Sequence, residues 1–144
     1  MRFPVKTEVT VFFSDCDPMG HCNNARFLTF MEQARVQYYK RLKALDLRRM
    51  NARTAFGFIV AEATCSFKSP AYIDETLVIG TRIASVGNKS FVFEYEIREK
   101  KTKRLVATAR TVQVMFNYQK NKSFPVPAAL RKKIERLERH SCYT

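Results

Sequence analysis

A chain of 144 residues, 46% of them apolar and 12% aromatic, can bury a core as one domain, and it sets 26 Lys and Arg against 13 Asp and Glu for a formal charge of +13. No stretch approaches the roughly 20 apolar residues that span a bilayer, residues 1–6 lack an apolar secretion segment, and cysteines 16, 22, 65 and 142 form no CxxC pair, so a soluble cytoplasmic protein with free thiols is expected. The cationic excess, concentrated in residues 35–53, 98–104 and 120–139, predicts attraction to polyanions such as nucleic acid, acidic lipid, an acidic carrier protein or coenzyme A phosphates, without choosing among them.

Residues 7–14 alternate as a strand, with Val9, Val11 and Phe13 on one face and Glu8, Thr10 and Phe12 on the other. That strand delivers an acidic loop broken by Pro18 and Gly20, carrying Asp15, Asp17 and His21 into the helix-capping pair Asn23-Asn24. From about Asn24 to Leu45 an apolar stripe of Phe27, Met31, Ala34, Tyr38 and Leu42 predicts a helix roughly 33 Å long at 1.5 Å per residue. A carboxylate is thereby held beside a helix start, where unpaired N–H groups can receive the oxygen of a polarised carbonyl while the carboxylate attacks or activates water.

Residues 47–55 lose the pattern and read as a loop or short turn. Strands follow at 58–67, 76–85, 90–99 and 104–118, punctuated by Ser69-Pro70, Gly87-Asn88 and a polar hairpin at 100–103. In 90–99 Phe91, Phe93, Tyr95 and Ile97 face one way and Glu94, Glu96 and Arg98 the other, as in a sheet with one wet face. The end of the last strand, with Val112, Val114, Met115 and Phe116, is apolar on both sides, which calls for another layer or another subunit. After Pro125 and Pro127, Leu130, Ile134 and Leu137 mark a short amphipathic helix over 128–138. The order predicts a single α+β domain over residues 1–144, an antiparallel sheet of about five strands curled around one long helix.

The series Asp15-x-Asp17-x-x-Gly20-His21-x-Asn23-Asn24-Ala25, followed by Phe27-Leu28 and Glu32-x-Ala34-Arg35, resembles the leading motif of hotdog-fold acyl-CoA thioesterases of the 4-hydroxybenzoyl-CoA thioesterase type. Residues 58–62, 67–70, 74–77, 87–91 and 124–127 resemble the remaining blocks of that family in the same order. The resemblance implies a hotdog fold and hydrolysis of an acyl-CoA thioester to carboxylate and free CoA, with no metal or organic cofactor. Asp17 falls on the catalytic aspartate and the Asn24 backbone N–H on the amide that polarises the carbonyl. An aspartate before proline is by itself ordinarily an Asx turn. His21 either donates to the carbonyl, orients Asp17, or packs in the turn. Asp15 is read as a structural tie, since two ionised carboxylates at one carbonyl repel each other.

Glu32, about two turns along the helix, is the alternative catalytic carboxylate, and Glu62 needs a partner if buried, one that a second subunit can supply. The family binds CoA phosphates near a segment like Lys89 and Ser90, with Lys68 a further candidate. The working unit is expected to be a homodimer or homotetramer with shared sites. Acyl carrier protein as acyl donor, a non-catalytic acyl-binding protein and a basic nucleic-acid module are the competing readings; nucleic acid is not expected, because no aromatic-basic recognition motif is present. A metal site from Asp15, Asp17, His21 and Cys22 fits no established ligand spacing.

Overall fold

The structure, a computed structural model, describes residues 2–43 and 57–140. The loop expected over 47–55, Leu45 and Cys142 lie outside the described residues. In chain order the elements are β1 (Val5–Thr10), a 3₁₀ turn (Phe13–Asp15), α1 (Arg26–Leu42), β2 (Gly57–Phe67), β3 (Thr76–Val86), β4 (Ser90–Glu99), β5 (Leu105–Asn117), β6 (Lys122–Ser123) and α2 (Ala128–His140).

All five stripe residues of α1 are buried, and the row opposite them is the apolar face of β4: Phe91, Phe93, Tyr95 and Ile97 are buried too. Side chains alternate across a strand and recur every three or four residues on a helix, so one row from each builds a continuous core. Tyr38 meets Phe93 edge-on with ring centroids 5.1 Å apart, and Tyr39 stacks on Phe58 at 4.5 Å. Each fully buried side chain of this size contributes about 1.5–3 kcal/mol, which fixes the helix on the sheet. The sheet order is β1-β3-β4-β5-β2 with every pairing antiparallel, and β6 adds a short pairing to the end of β5. This is the hotdog arrangement, a curved antiparallel sheet around one long helix. The short helix α2 lays Leu130 and Ile134 into the same core. Its Glu138 accepts the Tyr38 hydroxyl and, at 3.1 Å, the Ile83 N–H.

Several expectations are corrected. The first strand stops at Thr10, because the Asp15 carboxylate accepts the Phe12 N–H at 2.9 Å and turns the chain into the 3₁₀ turn. Phe12 and Phe13 therefore leave the sheet and stand 62% and 83% exposed. The helix begins at Arg26, two residues later than expected, and closes at Lys43, which takes the left-handed conformation with φ 56°. Glu62 is not buried: its side chain is 62% exposed on the outer face of β2 and pairs with Arg110 of the neighbouring strand at 3.3 Å. Among the described residues no helix is long and apolar enough to cross a membrane.

Candidate active site

The loop between β1 and α1 is held from below by Asp15. Only 3% exposed, it accepts Phe12 N–H through one oxygen and Arg26 Nε through the other, at 2.9 and 2.8 Å, while its backbone carbonyl takes the Asn23 N–H at 2.7 Å. The expectation that Asp15 ties strand to loop fits this geometry, and with both oxygens engaged it is not placed for chemistry. Above it, Asp17 N–H donates to His21 O at 2.9 Å, and Gly20, whose φ of +84° suits glycine, donates to Asp17 O at 3.0 Å. Cys22 N–H bonds Ala71 O at 2.8 Å, which docks the loop on the segment after β2.

At the head of α1 the cap differs in detail from expectation. The Asn23 side chain, not that of Asn24, accepts the Ala25 N–H at 3.0 Å, and the first helical turn sends Arg26 N–H to Asn23 O and Phe27 N–H to Asn24 O. Among the described residues the Asn24 N–H donates to no acceptor. Asn24 is one of the residues lining a cavity of about 260 Å³, with His21, Cys22, Phe27, Phe67, Lys68 and Ala71 among the others. A backbone donor left unpaired at a helix start, on a residue that lines a partly apolar cavity, is suited to hold a developing oxyanion.

Three of the sequence candidates, His21, Asn24 and Lys68, share that cavity. Asp17 stands in the same loop but outside the cavity wall; it is half-buried and its Oδ1 accepts the Met19 N–H at 2.9 Å, an Asx turn. Glu32 is exposed on α1 and also outside the wall. Lys89 and Ser90 are elsewhere in the chain. Lys68 N–H bonds Val106 O at one end of β5, whereas Lys89 O accepts from Met115 near the other; nine residues of strand separate these by about 30 Å. The His21 ring lies edge-on against Tyr72 with centroids 5.4 Å apart, so packing in the turn describes its present state. The Cys22 thiol is pushed up to about 11, first by burial and then by the charge of Asp15.

Two features escaped the sequence reading. Phe67 and Phe27, read as strand and core residues, meet at 5.3 Å and form a wall of the cavity. Arg35 is buried with its guanidinium on the Tyr95 hydroxyl at 3.2 Å, which in turn bonds Thr111 at 2.8 Å; the only signal was its place in the Glu32-x-Ala34-Arg35 series. A larger hollow of about 610 Å³ lies among Arg2, Lys6, Arg98 and Lys103, but it holds none of the motif residues and no helix start. Among the described residues no three His, Cys, Asp or Glu side chains converge as a metal site.

The family model described as "Thioesterase-like superfamily" matches residues 11–134. The long-chain acyl-CoA thioesterase FadM of Escherichia coli is 25% identical over 133 residues, covering 92% of this chain and 98% of that protein. A thioesterase from Thermus thermophilus, solved with coenzyme A and Zn, is 31% identical with a TM-score of 0.80 over 94% of this chain and 95% of that one. A 1,4-dihydroxy-2-naphthoyl-CoA thioesterase from Synechocystis is similar in fold, with a TM-score of 0.83, 23% identity and coverage of 93% and 97%.

Proposed function

The chain belongs to the thioesterase-like superfamily and is a thioester hydrolase of hotdog fold, and from that premise we propose that it cleaves acyl-CoA with Asp17 as the reacting carboxylate and the Asn24 N–H as the carbonyl-polarising donor. The observation that carries this reading is that Asn24, whose N–H has no acceptor among the described residues, lines the cavity. The thioester oxygen sits on that donor, where the partial positive charge of the helix start favours the oxyanion. Asp17 either attacks the carbonyl carbon or takes a proton from the attacking water; the CoA thiolate leaves, and R-CO-S-CoA plus water becomes carboxylate plus CoA thiol. A thiolate leaves more readily than an amine or alkoxide, so a single carboxylate serves without a dedicated general acid. His21 positions the loop, and Lys68 meets phosphate oxygens at the mouth.

The site is completed by a second copy of the chain. β2 is an eleven-residue edge strand that among the described residues pairs only with β5, and it exposes Val60 and Phe67. Such an edge calls for a partner. Two β2 edges meeting antiparallel about a twofold axis continue the sheet and bring the Lys89–Ser90 end of each chain beside the cavity of the other, which accounts for their distance from Asn24 within one chain. Acyl carrier protein is the second reading, favoured by the exposed cations Lys68, Lys101 and Lys103 at the cavity end of the sheet.

The test is carboxylate release from short, long and aromatic acyl-CoAs, with the same acyl groups on carrier protein beside them. Asp17→Asn should lower turnover at least about a hundredfold with the fold intact, and Glu32→Gln should leave it near normal. The reverse pattern assigns the carboxylate to Glu32. Preference for carrier-protein thioesters selects the second reading, and no release from any thioester, with tight salt-sensitive nucleic-acid binding, rejects both.

A further inference from the structure

Cys16 and Cys22 flank the Asp17–His21 loop and stand opposite one another in an isolated antiparallel bridge. The hydrogen bonds on either side, Asp17 N–H to His21 O at 2.9 Å and Asn23 N–H to Asp15 O at 2.7 Å, make this the narrow, non-hydrogen-bonded kind of pair. In such a pair the Cα atoms are about 4.5 Å apart and both side chains leave the same face. A disulfide accepts Cα separations of about 4.4–6.8 Å, so the backbone can close one without rearranging. Facing Cβ atoms at about 4.5–5.5 Å meet the disulfide's range of about 3.5–4.5 Å only at its limit. The bond would therefore form under mild strain, the property of reducible rather than permanent disulfides. Both residues are now thiols, resting on weak sulfur contacts to Phe12 O at 3.6 Å and Asn23 O at 3.8 Å, which a rotation about χ1 releases.

We propose that Cys16 and Cys22 form a thiol–disulfide exchange site that takes a low-molecular-weight disulfide and closes a reversible bond across the loop carrying Asp17. Cys16, half-exposed, loses its proton and attacks one sulfur of R–S–S–R; the S–S bond breaks, a Cys16 mixed disulfide forms, and one R–S⁻ leaves. Cys22 then loses its proton and attacks the Cys16 sulfur, expelling the second R–S⁻. Two cysteines are oxidised, one external disulfide is reduced to two thiols, and the protons end on those thiols. Cys22, buried and with its thiol pushed up to about 11, makes the second step slow at neutral pH and faster as pH rises. Because Cys22 also walls the cavity, closing the bond draws on the site itself and slows hydrolysis. That consequence rests on the thioesterase reading, while the bond does not. Glutathione disulfide and coenzyme A disulfide share the required chemistry.

The full chain is equilibrated with glutathione disulfide or with coenzyme A disulfide, alkylated, digested and weighed, while carboxylate release is followed in parallel. The expected result is a linked Cys16–Cys22 peptide two hydrogens lighter, reversed by dithiothreitol, with turnover falling severalfold in proportion to the linked fraction. Cys16→Ser should keep its activity and lose this sensitivity; if that variant fails to fold, Cys22→Ser must abolish the linked peptide. A lower effective concentration of coenzyme A disulfide assigns the source to the CoA site, and equal potency assigns it to general disulfides. Recovery of both cysteines alkylated, or only as separate mixed disulfides, overturns the proposal. A linked peptide with unchanged turnover overturns the effect on hydrolysis, and the mass reads the bond even if no thioester is cleaved.

Discussion

Replacing Asp15 by alanine tests how the loop between β1 and α1 is held. The change strips two hydrogen bonds from a side chain that is almost fully buried: the one from Phe12 N–H at 2.9 Å and the ion pair with Arg26 at 2.8 Å. Leaving the partly buried Phe12 N–H without an acceptor costs about 1–3 kcal/mol. The Arg26 side chain is 44% exposed, so solvent screens the pair and its share is held to about 1 kcal/mol. The loss is then about 2–4 kcal/mol, which for a domain of this size lowers the melting midpoint by roughly 5–15 °C. Asp15→Asn keeps an oxygen for Phe12 N–H and loses the ion pair and hydrogen bond to Arg26, whose side chain is largely solvated, so it should cost about 1 kcal/mol. Urea unfolding followed by circular dichroism reads both, with the midpoint moved and the slope unchanged. Because Arg26 opens α1 and Asn24 lies two residues before it, turnover should fall more in the alanine variant than in the asparagine variant. Equal destabilisation by the two, or an alanine variant within about 0.5 kcal/mol of wild type, the range of an ordinary surface change, refutes the account of the loop given above.

The Asn24 donor belongs to the main chain, so Asn24→Ala should keep turnover within a few fold while Asn24→Pro, which deletes the N–H, loses about a hundred- to a thousandfold in kcat; equal effects from the two would move the donor elsewhere. Glu138 is pushed above the ordinary carboxylate value, first by burial. The folded state therefore binds its proton more tightly than the unfolded chain, and stability should fall as pH rises from the ordinary Glu value of 4.5 toward the raised one. Glu138→Gln should flatten thermal melts across that window, and an unchanged slope would discount this carboxyl. For shared sites, mixing Asp17→Asn protomers with protomers altered in β2 should restore carboxylate release after subunit exchange, whereas full activity in a sedimenting monomer rejects the shared site.

Local pattern alone decided much of this protein. The alternation in Phe91, Phe93, Tyr95 and Ile97 and the three-and-four spacing of Phe27, Met31, Ala34, Tyr38 and Leu42 are properties of neighbouring residues, and both rows are buried as that spacing requires. Strand and helix limits within one to four residues followed, as did the grouping of Asp17, His21 and Asn24 in one short loop. Tertiary structure decided what depends on partners distant in the chain. In the sheet order β1-β3-β4-β5-β2 the two inner pairings are hairpins between consecutive strands, while β1 with β3 and β2 with β5 pair segments tens of residues apart. Phe12 and Phe13 alternate like strand residues, yet the Asp15 carboxylate captures the Phe12 backbone and turns them out. Asn23 and Asn24 are equivalent as capping residues in sequence, and only the path of the loop gives the side-chain role to Asn23 and leaves the Asn24 N–H open. Glu62 found its cation on the neighbouring strand, Lys68 and Lys89 fell at opposite ends of β5, and Cys16 came to face Cys22, because strand register sets which side chains meet.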